Sequence, residues 1–205
     1  MSGTFPSSPA PRSVDVTSIQ PTRVSTSHSM KRYARTLNAQ RWMISLDFSH
    51  LTRARFAPIW AFLISQRGQY DTFQYVLPNP LYTPQGSGSG GAVNGNFGSP
   101  AEQQTGRSVY TDGWSNSITV VKAGDFLKYA SHTKVYMATA DALSDSSGLA
   151  QLSFDPALVQ AVSDGDAITL SSVPFTVSLA RDELAFGLGV GSMFRLQQVQ
   201  LVESL

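Results

Sequence analysis

The sequence predicts a mainly β protein with one α-helix and a small β-barrel inserted into a split domain. Three observations support this. Residues 41–78 have a strand, helix, strand pattern, residues 105–173 contain several short strand signals divided by turns, and strand patterns return after residue 174. A chain of 205 residues is long enough to bury the core of one large or two small domains.

The strand, helix, strand pattern of residues 41–78 is the clearest signal in the sequence. Residues 41–48 alternate between apolar and polar side chains, which is typical of a strand with one buried face. Apolar residues then recur at helical spacing, so a helix is predicted at about residues 52–67, with Gly68 as its C-terminal stop. Residues 72–77 form the next strand, which Pro78 ends.

Two segments have the composition of flexible chain. Residues 1–12 are rich in Ser and Pro and predict a mobile N-terminal arm. Residues 85–104 are rich in Gly and Ser and predict a linker. This linker contains a formal GxGxxG match at Gly86, Gly88 and Gly91, but no helix follows it to receive a pyrophosphate, so the match is accidental.

The middle of the chain, residues 105–173, is predicted to be the inserted barrel. Four to six short strands occur in about 70 residues, which is a barrel-like density. The turn at residues 145–148 predicts a hairpin between residues 134–140 and 150–154. Residues 158–162 are expected to form a short helical turn.

The last part is predicted to rejoin the first domain. Residues 193–202 read as one long strand whose buried parity changes at Gln197 and Gln198, which implies a bulge or a change of face. The glycines at 187, 189 and 191 indicate a flexible loop before it. Pairing of this strand with residues 41–48 or 72–77 would make residues 13–84 plus 174–205 one split domain.

Charge is sparse and uneven along the chain. Only 14% of the residues are charged, which is low for a globular domain. There is no Cys, so thiolate metal sites and Cys nucleophiles are excluded. Residues 1–70 carry nine bases and two acids, or +7, and the remainder carries six bases and twelve acids, or −6. Three interpretations stay open: two charged regions within one fold, a basic part that meets the next subunit's acidic part, or a nucleic-acid groove.

The residues of the chain predict no catalytic or metal chemistry. The three histidines, His28, His50 and His132, lie in unrelated contexts, and no hydrolase or phosphate-loop motif occurs. Acid pairs such as Asp164 with Asp166 are explained as turn residues, because a full calcium-loop pattern is missing. Trp114, in a polar loop, is predicted to be exposed, either as a subunit contact or as a sugar platform.

Four sequence segments resemble those of a known protein family. LTRARFAPIWAFLISQRGQYDTFQYVLP, KAGDFLKYASHTKVYMATAD, LSFDPALVQAV and VPFTVSLARDELAF are similar in content and order to the distal tail and tail-tip (baseplate) proteins of tailed bacteriophages. The resemblance implies a tail-tube-like β-sandwich with one helix and an inserted barrel. It also implies a ring, usually a hexamer, that joins the tail tube to the hub and peripheral proteins and leaves a lumen for DNA.

We therefore expect a structural virion protein with no enzymatic activity, no cofactor and no membrane segment, assembled in the cytoplasm of the bacterial host. Its partners would be copies of itself, the tail tube and the hub, with DNA only in transit. Arg32, Arg35 and Trp114 are the candidate interface residues. The alternatives are a receptor- or carbohydrate-binding module of the tail tip and, more weakly, a binder of single-stranded nucleic acid.

Overall fold

A computed structural model describes residues 3–48, 50–79, 81–96 and 103–205 of the chain. These residues form a mainly β protein with a single α-helix, as the sequence predicts. The first elements are β1 (Ser13–Ile19), β2 (Thr22–Thr26), β3 (Arg32–Thr36), β4 (Arg41–Asp47), β5 (Leu51–Thr52), α1 (Arg53–Ser65) and β6 (Phe73–Val76).

The later elements are all strands. The middle of the chain contributes β7 (Ala92–Val93), β8 (Ser108–Asp112), β9 (Thr119–Val121), β10 (Phe126–Tyr129), β11 (Tyr136–Ala138), β12 (Ala142–Leu143), β13 (Ala150–Asp155) and β14 (Ile168–Thr169). The end of the chain contributes β15 (Pro174–Leu179), β16 (Phe186–Gly189), β17 (Met193–Leu196) and β18 (Val199–Glu203).

A five-stranded antiparallel sheet collects strands from both ends of the chain, in the order β1-β4-β18-β15-β6. Ile44 of β4 pairs with Leu201 of β18, and both side chains are fully buried. The apolar side of α1, with Ile59 and Leu63, belongs to the same buried cluster. Because β6 and β15 are neighbours, the chain leaves this sheet and returns to it at adjacent positions.

The intervening residues form a six-stranded sheet in the order β14-β10-β11-β13-β8-β7, which is nearly closed into a barrel. The two end strands approach each other, because the Val93 amide donates to the Asp166 carbonyl at 2.9 Å and the Ile168 amide donates to the Gly91 carbonyl at 3.1 Å. A second buried cluster fills the interior, including Leu127, Tyr129, Tyr136, Leu152 and Phe154. The predicted pairing of residues 134–140 with 150–154 is confirmed by the β11 and β13 ladder.

The predicted linker over residues 85–104 is wrong for the part that the structure describes. The Asp125 carboxylate accepts the amides of Gln85 and Gly86 at 2.9 and 2.8 Å, and β7 forms part of the barrel. Glycine permits this packing, because a Cβ at Gly91 would lie 2.2 Å from the Trp114 ring. The Gly-rich composition therefore reflects close approach of the backbone, not flexibility, while residues 97–102 lie outside the described part.

The predicted mobile arm is also wrong for residues 3–12. The Phe5 amide donates to the Gln74 carbonyl at 2.8 Å, and the Gln74 amide donates to the Gly3 carbonyl at 3.0 Å. The Phe5 ring is buried among aromatic side chains of β6 and α1. Burial of this one ring fixes a segment whose composition otherwise favours disorder, and residues 1–2 lie outside the described part.

Three predictions near the end of the chain change in detail. Residues 193–202 form two strands, β17 and β18, in different sheets, and the break lies at the predicted parity change. The predicted loop around Gly187 is instead strand β16, paired with β17. Residues 158–162 form no helical turn, because Val162 bridges to Gln104, and α1 ends at Ser65, slightly before the predicted limit.

Candidate assembly surface

The β2–β3 hairpin is the feature of this molecule that most requires a partner. All ten residues of its two strands are exposed, and the strands pair with each other but with no other strand of the described chain. A two-stranded hairpin with no buried face is marginally stable in water. This hairpin would therefore gain stability from a covering surface that the described residues do not supply.

The two faces of the hairpin differ in chemistry. Residues directly opposite each other share a face, and Arg23 pairs with Arg35 while Ser25 pairs with Tyr33. That face is basic and aromatic. The other face carries the Val24 and Ala34 pair with threonines on both strands, so it is neutral apart from Arg32 near the turn.

The positive charge of the hairpin is not neutralised by its surroundings. Its residues 22–36 include four bases and no acid. Arg23 and Arg35 lie directly opposite each other, an arrangement that destabilises a β pair. The three ion pairs found within the described chain involve Arg67, Arg107 and Lys134, so none of them uses the hairpin. Arg32 and Arg35, the predicted interface candidates, are thus exposed cations on a surface without acidic neighbours in the hairpin.

A second hairpin, β16–β17, exposes apolar side chains at its tip. Its base is anchored on the helix, where Phe194 stacks on Phe56 with 4.7 Å between ring centroids. Toward the tip, Leu188 and Val190 are 71% and 102% exposed. An anchored base with an uncovered apolar tip is typical of a contact surface.

The five-stranded sheet also has an open border. Strand β1 lies at its edge and pairs with β4 alone among the described strands, so the outer backbone groups of residues 13–19 face away from the sheet. Strand β1 continues through Gln20 and Pro21 directly into the β2–β3 hairpin. An edge strand joined to an uncovered hairpin forms one continuous surface to which another chain can add strands.

Trp114, the third predicted interface residue, is not on this surface. It is only 4% exposed, and its Nε1 donates to the Thr111 Oγ1 at 2.7 Å. The ring lies against Gly91, and the backbone carbonyl of Trp114 lies against Gly148. The prediction of an exposed Trp114 is wrong, because the ring packs into the space left by Gly91, which is distant in sequence. The basis for a sugar platform is lost with it.

His132 and the turn acids Asp145 and Asp164 have local structural roles. His132 is buried in the barrel, its Nδ1 lies 2.7 Å from the Tyr136 hydroxyl oxygen, and burial lowers the pKa of His132. The Asp145 carboxylate accepts two amides of its own turn, and Asp164 accepts the Gly95 amide at 2.8 Å. Among the described residues, no three potential ligands are grouped as a metal site would need.

One polar cluster was not predicted from the sequence. Lys134 and Glu203 form a fully buried ion pair, and the Lys134 Nζ also donates to the carbonyl oxygen of Gln40 at 3.1 Å. The partners are 69 residues apart, so no local pattern marks them. The pair joins the segment that enters β11 of the barrel to the last strand of the five-stranded sheet.

No helix of the described chain has the length and apolar character that a membrane crossing requires. A comparison with models of known protein families finds no match for this chain, and a search of curated proteins likewise finds none.

Proposed function

We propose that this chain is a structural protein of a bacteriophage tail. In this proposal it forms a ring at the distal tail or baseplate and has no catalytic role.

 It joins the tail tube to the hub and peripheral proteins and leaves a lumen for DNA, and it assembles in the cytoplasm of the bacterial host before becoming part of the virion. The observation that carries the proposal is the β2–β3 hairpin, whose ten strand residues are all exposed.

The hairpin supports assembly because it is marginally stable when uncovered in a monomer, and burial against a neighbouring subunit in a ring would stabilise it. When each subunit places its hairpin on the next one, every hairpin acquires a covering surface, and rotation repeats the contact until the ring closes. The open edge of β1 would also be covered, because a strand of a neighbouring subunit can pair with it and extend the sheet.

Charge supports a head-to-tail orientation of the subunits. Residues 1–70 carry +7 and the rest of the chain −6, so the basic hairpin of one subunit complements the acidic part of the next. In this arrangement the face with Arg35 lies against carboxylates of a neighbour, Arg32 reaches that neighbour from the end of the hairpin near its turn, and the lumen is neutral or acidic. A basic lumen would hold the phosphates of DNA and slow its passage.

The function in this proposal is mechanical, and it needs no reaction, cofactor or metal. The resemblance of the sequence to distal tail proteins supplies the place in the virion, whereas the hairpin supplies the physical reason for self-association. Self-association through the hairpin can therefore be tested without assuming a place in the virion.

The test is analytical ultracentrifugation of a charge-reversed hairpin, Arg23→Glu with Arg35→Glu. The matched control is Arg53→Glu with Arg55→Glu, which makes the same charge change at exposed positions of α1. We expect the wild-type chain to form a closed oligomer, the control to retain it, and the hairpin variant to weaken association by about a hundredfold or more, or roughly 3 kcal/mol.

Two results would contradict the proposal. One is a wild-type chain that stays monomeric even with tail-tube and hub proteins present. The other is equal loss of assembly in the hairpin variant and the control, because net charge and not the hairpin would then govern association. Circular dichroism of each variant separates loss of assembly from loss of folding.

A further inference from the structure

His132 is buried at one end of the barrel, in the turn that joins β10 to β11. The residue is only 4% exposed, and its amide donates to the Tyr129 carbonyl oxygen at 3.0 Å. Its imidazole packs against two tyrosine rings, with 5.6 Å between its centroid and that of Tyr129 and 5.7 Å to that of Tyr136. The imidazole is therefore removed from water, which disfavours a charge on it.

The hydrogen bonds around the imidazole favour one neutral form. The Tyr136 hydroxyl oxygen accepts the Val159 amide at 3.3 Å and lies 2.7 Å from the His132 Nδ1. A phenol carries a single hydrogen, so most groups are satisfied when the Tyr136 hydroxyl donates that hydrogen to Nδ1. The proton of the neutral imidazole then lies on Nε2, which has no hydrogen-bond partner among the described residues.

A second proton on the imidazole would create a buried charge that its surroundings do not compensate. Nδ1 would become a donor, so the Tyr136 hydroxyl hydrogen would lose its acceptor, and Nε2 would still lack one. Asp166, in the turn before β14, is the acid whose charge favours protonation, but its carboxylate already accepts the Ser131 amide and hydroxyl. Burial outweighs this attraction and lowers the pKa of His132.

The other side chains packed around the imidazole supply no negative charge near neutral pH. Burial raises the pKa of Tyr129 on β10 and of Tyr136 on β11, so both tyrosines stay neutral. Lys134, two residues along the chain, directs its ammonium to Glu203. Residues 157–162, next to the turn, contain no ionisable side chain. The imidazole is therefore the group here that gains charge as pH falls from 7.5 to 5.5.

The turn that contains His132 also holds a segment without regular secondary structure. Two hydrogen bonds join residues 157–161 to this end of the barrel: the Val159 amide donates to the Tyr136 hydroxyl at 3.3 Å, and the Gln160 Nε2 donates to the Ser131 carbonyl at 3.0 Å. The first bond ends on a side chain that contacts the imidazole, and the second ends on the residue before it. Both bonds thus depend on the position of this turn.

We propose that His132 is an acid-sensitive switch that opens one end of the barrel. Protonation moves the imidazole out of its buried position, the turn at residues 130–133 opens, and residues 157–161 are released. The proton comes from water once the imidazole is uncovered, so opening and proton uptake occur together. The closed form is favoured above the ordinary pKa of His, and this preference is lost as pH falls below it. The switch does not depend on assembly of several subunits.

The test compares amide hydrogen exchange of the full chain at pH 7.5 and pH 5.5, corrected for the intrinsic pH dependence of exchange. The variant is His132→Asn, because an Asn oxygen can take the place of Nδ1 and accept the Tyr136 hydroxyl without titrating. The control is His50→Asn, at an exposed position. Opening of residues 130–136 and 157–162 should increase about fivefold to tenfold at pH 5.5 in the wild type and the control, and less than about twofold in His132→Asn.

A proton NMR titration of the wild-type chain keeps the test independent of any variant. The His132 signals, assigned through their contacts with the Tyr129 and Tyr136 rings, should titrate below pH 6.5. Titration at or above pH 6.5, or equal changes of exchange in the wild type and His132→Asn, would overturn the proposal. So would an increase of exchange spread evenly over α1 and the five-stranded sheet, because acid would then unfold the whole chain.

Discussion

The buried ion pair of Lys134 and Glu203 should dominate the response of this protein to a single substitution. Both side chains have no exposure to solvent. The Lys134 Nζ donates to Glu203 and to two oxygens of Gln40, and the Glu203 carboxylate also accepts the amides of Val135 at 2.9 Å and Trp42 at 3.2 Å. Each charge is thus paired and hydrogen-bonded. Removal of Lys134 leaves the Glu203 carboxylate buried with two backbone amides but without a counter-charge.

We predict that Lys134→Met lowers the free energy of unfolding by about 3–5 kcal/mol, the usual cost of breaking a buried ion pair. Met retains most of the apolar stem of the side chain, so the loss comes from the charge and not from a cavity. With a urea dependence of about 2.5 kcal/mol per molar, the unfolding midpoint should fall by roughly 1–2 M. Trp42 fluorescence can report the transition, because the Trp42 ring lies 6.0 Å from the Lys134 Nζ.

The double variant Lys134→Met with Glu203→Gln supplies the control. It removes both charges and keeps an amide oxygen at position 203 that can accept one of the two backbone hydrogens. We expect the double variant to be more stable than Lys134→Met alone by about 1–2 kcal/mol, because no unpaired charge remains buried. A loss below about 1 kcal/mol in the single variant, or a double variant that is less stable still, would refute this reasoning.

Two further predictions concern the arm and the barrel. Phe5→Ala should lower the free energy of unfolding by about 3 kcal/mol and expose residues 3–12 to proteolysis, since a buried ring anchors the arm, whereas Ser7→Ala should change neither. Burial raises the pKa of Tyr136 to about 12, so the folded state holds its proton while the unfolded state loses it near pH 10. The free energy of unfolding therefore decreases as pH rises above 10. Urea unfolding should show that Tyr136→Phe reduces the decrease between pH 8 and pH 11 by about 1.4 kcal/mol. An equal decrease in both proteins would contradict the raised pKa of Tyr136.

The fold was predictable where burial leaves a local pattern. Strand β4 has one buried face, so its apolar residues alternate in the sequence, and α1 shows apolar residues at helical spacing for the same reason. The break between β17 and β18 was also visible, because the buried parity changes where the chain passes from one sheet to another. These features depend on neighbours within a few residues.

The features that were missed depend on distant residues. The Gly-rich segment has the composition of a linker, and only its packing against the Trp114 ring at Gly91 shows that it is ordered. The arm likewise has the composition of a mobile segment, and only the burial of Phe5 in the core shows that it is held. The ion pair of Lys134 and Glu203 joins residues that are far apart in sequence. Composition alone carries no information about such partners.

The candidate surface was predictable only in part. The excess of bases in residues 1–70 pointed to Arg32 and Arg35, and both are exposed on the hairpin. The lack of any buried face on β2 and β3 was not predicted, because a strand that is exposed on both sides has no apolar periodicity to detect. The absence of a pattern in that segment is therefore the signal that a search for assembly surfaces could use.

Native mass spectrometry of the purified full chain gives the sharpest test of ring formation, because it reports the number of subunits in one assembly. We predict one dominant closed oligomer, with six subunits as the expected number, whose population falls as salt weakens the charged contacts. A chain that remains monomeric at all salt concentrations, alone and mixed with tail-tube and hub proteins, would contradict it.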